Sequence, residues 1–408
     1  ANGFYSPKFP NQFEENNTAL ASFKLETKTK LVVSPRIYWR MNNDRFELFR
    51  AMKDAPLWYQ KHNYHQTQMY GVALDSWFKT KFGKTSLGAD YRVESIISTV
   101  LGDLLKDSIP IKGQNFAFIK GHKRDYTSIF IDHTYYSKLF SVSLGVMANY
   151  NSDLNQWRYF PGADVNFLIL KNFSIFASAN TSLRMPTFTD LYYKSATLIG
   201  NEHLKPEEAV TCELGGKYIS KALQIQVSAF ERQGKNLIDW IKYPGDSLWR
   251  SENFTDITYH GAEFSVAMVP SLLTPYLKFI TKTTFSYAYL DANKSLQGFE
   301  SAYVLDNLKH KFAASVTFNM TKKLLFSYKY TYQSRNGEYL KYENGVAKGL
   351  VPHQPFSLSD ARLMWQDIKW NAFIELSNVL DKSYYDIGNI IQPGRWIRIG
   401  ANYRINFR

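Results

Sequence analysis

The chain has 408 residues and a mean hydropathy of −0.34, with 45% hydrophobic and 16% aromatic residues. It contains no apolar run of about 18 residues, so the sequence predicts no helical membrane domain. Lys and Arg number 49 against 36 Asp and Glu, a net charge of +13, but they form no sustained basic cluster, and nucleic acid is not expected as a partner.

The composition shows no linker, so we expect residues 1–408 to form one unit. A single cysteine, Cys212, excludes an intrachain disulfide. The sequence begins ANGFY, without an initiator Met or a signal peptide, and we expect it to be a mature piece of a longer product.

Apolar and polar residues alternate with a period of two along most of the chain, which is the pattern of β-strands. In residues 223–229 the apolar side chains face away from the polar ones. Residues 312–320 and 324–333 alternate in the same way on either side of a short TKK turn and predict a hairpin. The last alternating run covers residues 397–407 and ends in the aromatic Phe407. The sequence therefore predicts an all-β fold.

The lengths of the runs and of their connections favour a membrane barrel over a soluble sandwich. The runs reach about ten residues or more, as tilted membrane-spanning strands do, and short turns alternate strictly with mostly long loops. The short turns lie at residues 29–30, 83–84, 137–138, 171–172, 220–221, 321–323 and 367–369. Aromatic residues gather near strand ends, where they suit the lipid headgroup level. We predict a transmembrane antiparallel β-barrel in the bacterial outer membrane, in contact with its lipid.

The number of alternating runs is about seventeen, whereas single-chain bacterial barrels have an even number of strands. Because the first and last runs both descend from the outer side, we expect an odd number of N-terminal strands to be absent. Five more would complete a barrel of about 22 strands, a size whose lumen is plugged. We expect the plug domain and the first strands to lie outside this chain.

Residues 182–208, SLRMPTFTDLYYKSATLIGNEHLKPEE, interrupt the alternation with aromatic, Pro and charged residues. LRMPTFTDLYY followed by GNEHLKPEEAVTCELGGKY resembles the pattern of TonB-dependent outer-membrane receptors, as do NFTDITYHGAEFSV and ELSNVLDKSYYDIGNIIQPGRWIRIGANYRINF. We interpret the interruption as an outer loop whose motif residues organise it against the barrel rim, in preference to contacting ligand directly. These residues are Arg184, Pro186, Asn201, Leu204, Pro206 and Glu207.

Four N-terminal segments are similar to the cobalamin-receptor branch of that family in Bacteroidota-type bacteria: NGFYSPKFPNQFEEN, RIYWRMNNDRFELFR, PLWYQKHNYHQTQMYG and TSLGADYRVESIISTVLG. The resemblance implies a receptor that binds a corrinoid outside and passes it inward when the TonB complex pulls on the plug. A surface-exposed lipoprotein that caps the barrel is a further candidate partner. A siderophore or haem receptor is the alternative, although the haem receptors' His is missing from residues 186–201.

Residues 38–70 are expected to form a long outer loop in which aromatic rings and hydrogen-bond donors suit a rigid macrocycle. Loop packing and an aromatic headgroup belt are the alternative interpretation. The candidate ligand contacts are Trp39, Arg40, Arg45, Phe46, Trp58, Tyr59, His62 and Tyr64 in this loop, with Tyr192, Tyr193 and Trp249 from other outer loops.

The sequence gives less support to a metal site, an enzymatic activity or a passive pore. His62 and His65 form an H-x-x-H motif without an evident third ligand, and the loop acids Asp44, Asp246 and Asp291 lie in no dense run of Ca²⁺ ligands, so we predict neither a metal nor a cofactor. No G-x-S-x-G, P-loop or H-E-x-x-H motif occurs, which argues against an enzyme. A passive porin is disfavoured by the long outer loops and the expected barrel size.

Overall fold

The computed structural model describes residues 11–195, 197–292, 299–301, 307–343, 346–386 and 390–405. Residues 1–10 and the predicted terminal aromatic Phe407 lie outside these ranges. Within them the chain is almost entirely β-structure. No helix in these ranges has the length and apolar character needed to span a membrane.

The strands are β1 (Phe13–Lys24), β2 (Leu31–Glu47), β3 (Asn63–Thr80), β4 (Gly83–Ser98), β5 (Asp103–Pro110), β6 (Ala117–Tyr136), β7 (Phe140–Asn151), β8 (Gln156–Leu170), β9 (Phe173–Arg184), β10 (Leu198–Ile199), β11 (Glu207–Ile219), β12 (Leu223–Lys242), β13 (Trp249–Met268), β14 (Ile280–Ala292), β15 (Glu300–Ser301), β16 (Leu308–Asn319), β17 (Leu324–Arg335), β18 (Glu338–Glu343), β19 (Val346–Pro352), β20 (Phe356–Gln366), β21 (Trp370–Ser377) and β22 (Trp396–Tyr403). One α-helix, α1 (Phe188–Tyr192), and three 3-10 turns, Met52–Asp54, Pro270–Leu272 and Pro275–Leu277, complete the elements of these ranges.

Seventeen long strands form one sheet in which each pairs antiparallel with the next long strand along the chain. β5, β10 and β15 each pair with this sheet at four positions or fewer, and β18 pairs with β19 in a separate hairpin. In the part of the chain that the structure describes, β1 and β22 each pair with one neighbour. The predicted antiparallel barrel fold is confirmed, including a contribution of about seventeen strands.

The connections divide the wall into two ends. Connections of two to six residues join β1–β2, β3–β4, β6–β7, β8–β9, β11–β12, β16–β17 and β20–β21 at one end, which we call the short-turn end. The opposite, outer end carries the larger loops, among them residues 48–62, 99–116 and 185–206. Strict alternation was wrong at one place, because residues 269–279 form a longer connection at the short-turn end. Pro270 and Pro275 each start a 3-10 turn there and have no N–H to extend a ladder.

The two faces of the wall differ in chemistry, as the period of two predicts. Leu87, Ile131 and Val146 are cross-strand partners on β4, β6 and β7 and are 42%, 53% and 39% exposed. On the opposite face, Ser128 accepts a hydrogen bond from the Asn149 amide at 2.7 Å. Large exposed aliphatic side chains are stable where hydrocarbon replaces water, so the first face borders lipid and the second lines the lumen.

Phenylalanine rings on the lumen face lie over glycines of the neighbouring strand. A Cβ on Gly88 would come within 2.4 Å of the Phe130 ring, and one on Gly261 within 2.1 Å of the Phe230 ring. Both glycines are the direct cross-strand partners of those phenylalanines. Glycine is needed at both positions because only hydrogen leaves room for the ring.

The predicted loop over residues 38–70 is much shorter than expected. β2 continues to Glu47 and β3 begins at Asn63, because the backbone ladder extends through pairs such as Asn42 with Thr67. Alternating polar residues form this part of the ladder, and they need no lipid to be stable as strands. Of the eight candidates in that segment, Trp39, Arg40, Arg45 and Phe46 lie on β2 and Tyr64 lies on β3. Only Trp58, Tyr59 and His62 lie in the connection.

Candidate ligand-binding surface at the outer end

An ion pair joins the two strands at the base of residues 185–206. Arg184 at the end of β9 donates to both carboxylate oxygens of Glu207 at the start of β11, at 2.7 and 2.5 Å. The same carboxylate accepts a hydrogen bond from the Ile238 amide of β12 at 2.8 Å. A bidentate pair fixes direction as well as distance, so this contact ties three strands together where the loop leaves and re-enters the sheet.

The first turn of the loop is held by capping and by a second arginine. Thr187 and Asp190 form a reciprocal capping box on α1. The Pro186 carbonyl accepts from Arg124 Nη1 of β6 at 2.8 Å, and Arg124 Nε donates to Glu94 of β4 at 3.0 Å. The loop therefore rests on lumen-facing charges of two strands that precede it in sequence.

An apolar cluster lies between this loop and the wall. Leu191, Tyr192 and Leu204 of the loop are 7%, 9% and 7% exposed and pack with Ile96, Leu101 and Ile238. Pro186 and Pro206 are fully buried beside it, and Asn201 accepts from the His203 amide at 2.9 Å. All six motif residues of the loop thus have contacts within the fold. Fully burying a Leu side chain contributes roughly 1.5–3 kcal/mol, so the cluster accounts for much of the docking.

Aromatic rings form a second cluster on the connection between β2 and β3. Phe49, Trp58 and Tyr59 meet edge to face with ring centroids 5.3 to 6.0 Å apart. The chain of contacts continues through His62 to Tyr64, with centroids 5.8 and 6.3 Å apart. Phe116 packs against both His62 and Tyr64. We call these six residues the outer aromatic cluster.

Buried polar contacts orient this cluster. Tyr59 Oη accepts from the Leu48 amide at 2.9 Å and lies 3.0 Å from His62 Nδ1. His62 Nε2 lies 3.8 Å from Glu47, a carboxylate that also pairs with Arg45. Burial lowers the pKa of His62, an effect that Glu47 opposes and Arg45 reinforces. The neutral imidazole then accepts the Tyr59 hydrogen through Nδ1.

The loop of residues 185–206 reaches the same region through Tyr193. Its hydroxyl accepts from the Asn63 side-chain amide at 3.4 Å, and Asn63 opens β3 between the cluster residues His62 and Tyr64. Burial raises the pKa of Tyr193, and burial also raises the pKa of Tyr59 to about 12. Both phenols are therefore neutral hydrogen-bonding groups at physiological pH.

The structure does not bring all the sequence candidates together. Tyr192 belongs to the apolar cluster under the loop and places its hydroxyl 3.0 Å from His122 Nδ1. Trp249 begins β13 and pairs with Leu198. On β2, Trp39 and Arg40 lie on opposite faces of the strand, and Phe46 is the cross-strand partner of Asn63. Trp58, Tyr59, His62 and Tyr64 form the assembled set, with Arg45 over the Tyr64 ring at 5.7 Å.

Exposure separates ligand candidates from supporting residues. His62 and Tyr64 are each 5% exposed, whereas Trp58 is 57% exposed. Leu57, beside it, is 97% exposed. The arrangement can present an indole held by buried neighbours to a ligand outside the cell. No group of three or more His, Cys, Asp or Glu suited to a metal ion occurs in the described ranges.

Sequence reasoning missed the charged residues on the lumen face. Arg92 and Glu94 of β4 form an ion pair at 3.2 Å, and Arg92 lies 4.3 Å from the Tyr126 ring centroid. Asp90 accepts from the Tyr38 hydroxyl at 2.9 Å. The alternation in DYRVE could have predicted them, because it places Asp90, Arg92 and Glu94 on one face of the strand and Tyr91 and Val93 on the other.

The model of the family described as "TonB dependent receptor-like, beta-barrel" matches residues 1–379. The chain is 33% identical over 87 residues to the vitamin B12 transporter BtuB of Vibrio vulnificus strain YJ016, a match that covers 21% of this chain and 14% of that protein.

Two solved structures share the fold over 96% of the chain. The siderophore receptor PirA from Acinetobacter baumannii matches with a TM-score of 0.68 and 14% identity, and the FrpB iron transporter from Neisseria meningitidis, F3-3 variant, with a TM-score of 0.69 and 13% identity. The chain covers 63% of each of these proteins, less than two-thirds of their length. At such identities the likeness shows the fold alone.

Proposed function

The chain belongs to the TonB-dependent receptor-like β-barrel family of outer-membrane proteins, and we propose that it forms most of the barrel of a receptor that imports cobalamin or a related corrinoid with energy supplied through TonB. The TonB complex acts on a plug encoded in the N-terminal part of the receptor, and a surface lipoprotein that caps the barrel is a further proposed partner. In this function the protein is a transporter and not an enzyme.

Active transport is supported by charged contacts that join the lumen face to an outer loop. Fixed charges on β4 and β6, including Glu94 and Arg124, line the lumen face and also hold the outer loop of residues 185–206. A passive pore needs no such link between its wall and its largest described loop. A receptor benefits from it, because a ligand held by the loop can then be sensed by the wall and by a plug within it.

The corrinoid is favoured by one observation, the exposed indole of Trp58 on a buried support. Tyr59 and His62 lock the connection beneath it, so the ring loses little rotamer freedom when a flat, rigid macrocycle packs on it. The vitamin B12 transporter among the relatives supports the same choice over part of the chain. Iron-chelate transport is the alternative, since a siderophore with aromatic groups can also pack on an indole.

Binding of cobalamin to the full receptor in detergent tests the proposal. Trp58→Ala should lower the affinity about tenfold or more, because it removes roughly 1.5–3 kcal/mol of apolar contact. Trp157→Ala is the matched control: Trp157 is 43% exposed at the outer end of β8, and its ring lies 5.6 Å from Tyr150. It should leave affinity unchanged.

Three results are decisive. Unchanged affinity in Trp58→Ala would overturn the site. Equal losses in both variants would show a general effect of losing an exposed Trp. Tight binding of a ferric siderophore by the intact receptor, with no cobalamin bound, would replace the substrate.

A further inference from the structure

The net positive charge of the chain is concentrated at the short-turn end. We consider the eight connections at that end with three residues on either side of each, together with residues 401–405 at the end of β22. These segments hold sixteen Lys and Arg and two acidic residues, Glu26 and Asp367. The rest of the chain has 33 basic and 34 acidic residues, which nearly cancel.

The basic residues are spread around the wall and not grouped in sequence. They are Lys24, Lys28, Lys30, Lys79, Lys81, Lys84, Lys138, Lys171, Lys217, Lys221, Lys278, Lys282, Lys322, Lys323, Lys369 and Arg404. Every one of the nine segments holds at least one. Fourteen of the sixteen are exposed, Lys84 and Lys217 being partly buried. In the described part of the chain, carboxylates pair with two of them, Lys24 and Lys323. Lys24, Lys79, Lys84, Lys217 and Lys282 lie on the lumen face by the alternation of their strands and face away from lipid. We call the other eleven cations the lysine rim.

Apolar side chains are exposed at the same level. Tyr276, Ile368 and Phe82 lie in the turns and are 90%, 84% and 61% exposed. Several rim cations lie against aromatic rings, as Lys81 does at 5.0 Å from the Phe82 ring centroid and Lys323 at 5.8 Å from that of Trp365. Aromatic rings beside Lys at the end of an apolar wall are typical of the boundary between hydrocarbon and headgroups.

We propose that the lysine rim binds the anionic headgroups of the phospholipids that surround the barrel at its short-turn end. The partner is a lipid bearing a net negative phosphate headgroup, with its acyl chains against the apolar wall. Lipid fits better than an acidic protein, because the cations follow the whole described wall and stand beside exposed apolar groups. A docked protein would cover one sector, whereas lipid reaches every turn. Attraction between such a rim and anionic lipid adds up over several Lys residues and is screened by salt.

The test uses the full receptor in a nonionic detergent, with bound lipid counted by native mass spectrometry. Phosphatidylglycerol and phosphatidylethanolamine of the same acyl chains are added at equal concentration. The intact receptor should retain phosphatidylglycerol about tenfold better, and salt should reduce the difference. In the triple variant K81Q/K138Q/K171Q, which changes one lysine in each of three turns, the preference should fall severalfold.

A matched triple variant at the outer end, K106Q/K112Q/K348Q, has the same change in charge and should keep the preference. If the rim variant does not show the heat-modifiable mobility of a folded barrel, K28Q/K30Q/K322Q replaces it on other turns. Equal retention of both lipids by the intact receptor would overturn the proposal. Equal losses in the rim and outer variants, or binding of an acidic polyglutamate peptide in place of lipid, would overturn it as well.

Discussion

The outer end and the short-turn end of the wall are stabilised by different kinds of contact. At the outer end, loops are held by side chains distant in sequence, as when Arg124 binds the Pro186 carbonyl and Glu207 accepts from Ile238. At the short-turn end, hairpins close within a few residues, as when the Ser137 amide donates to the Phe140 carbonyl at 2.8 Å. Because backbone hydrogen bonds close these turns, their side chains are not needed to hold the hairpins, and many of them are lysines. Changes at the outer end should therefore alter ligand and loop, and changes at the other end should alter lipid contact.

Substitutions in the membrane-spanning wall between the two ends should have the largest effect on the stability of the barrel. Ile131 lies on the lipid face of β6, five residues before that strand ends at Tyr136. Ile131→Arg should destabilise the barrel by about 2–4 kcal/mol, since it places a charge near the bilayer midplane. Ser128→Arg on the lumen face of the same strand should cost much less. Urea unfolding in lipid vesicles measures both, and equal costs would mean that this strand does not separate lipid from lumen.

The ion pair at the base of the outer loop gives the next largest effect. Glu207→Ala leaves the Ile238 amide without its acceptor and Arg184 without its main partner, which should cost about 1–3 kcal/mol of loop docking. Trypsin should then cut after Lys194 faster. Glu202→Ala is the control in the same loop, because Glu202 and Lys194 form an exposed pair at 3.8 Å. Trypsin should cut the short turns at the same rate in both variants. Faster cutting there would mean that these hairpins are not closed by their own local hydrogen bonds.

The smallest expected effect is a pH dependence confined to the outer end. Because burial lowers the pKa of His62 below its ordinary 6.5, an opened connection takes up a proton at a higher pH than the packed one. The packing of residues 48–62 is therefore at full strength above about pH 6.5 and weakens as the pH falls toward the lowered pKa. Trp58 fluorescence between about pH 7.5 and about pH 5 should report the change. His62→Gln should remove it, and the same pH response in both proteins would refute the role of His62.

The wall was predictable from sequence because its determinants are local. A period of two gives each strand and its faces, and turn residues such as those at 171–172 give the hairpins, so the count of about seventeen strands could be read directly. The extent of β2 was not predictable in the same way. Its polar outer half, through Asn42 and Asp44, reads like a loop until the partner strand β3 is known.

The outer end and the lysine rim could not be predicted from sequence because they depend on residues that only the fold brings together. Tyr59 and His62 are joined to Glu47 and Leu48 by contacts that no sequence spacing specifies. The rim cations stand one or two to a segment, so they form no basic run in the sequence and come together only when the turns share one end of the barrel. The distinction between Trp58 and Tyr64 likewise required burial, since both are aromatic residues of one segment.

Uptake of labelled cobalamin into cells tests the proposal that this barrel belongs to a TonB-driven corrinoid importer. The full receptor is produced in cells that lack their own cobalamin receptor, with or without a working TonB complex, and a ferric siderophore serves as the control ligand. We expect cobalamin accumulation that requires TonB, and no accumulation of the control. Equal cobalamin entry with and without TonB, or TonB-dependent uptake of the siderophore alone, would contradict it.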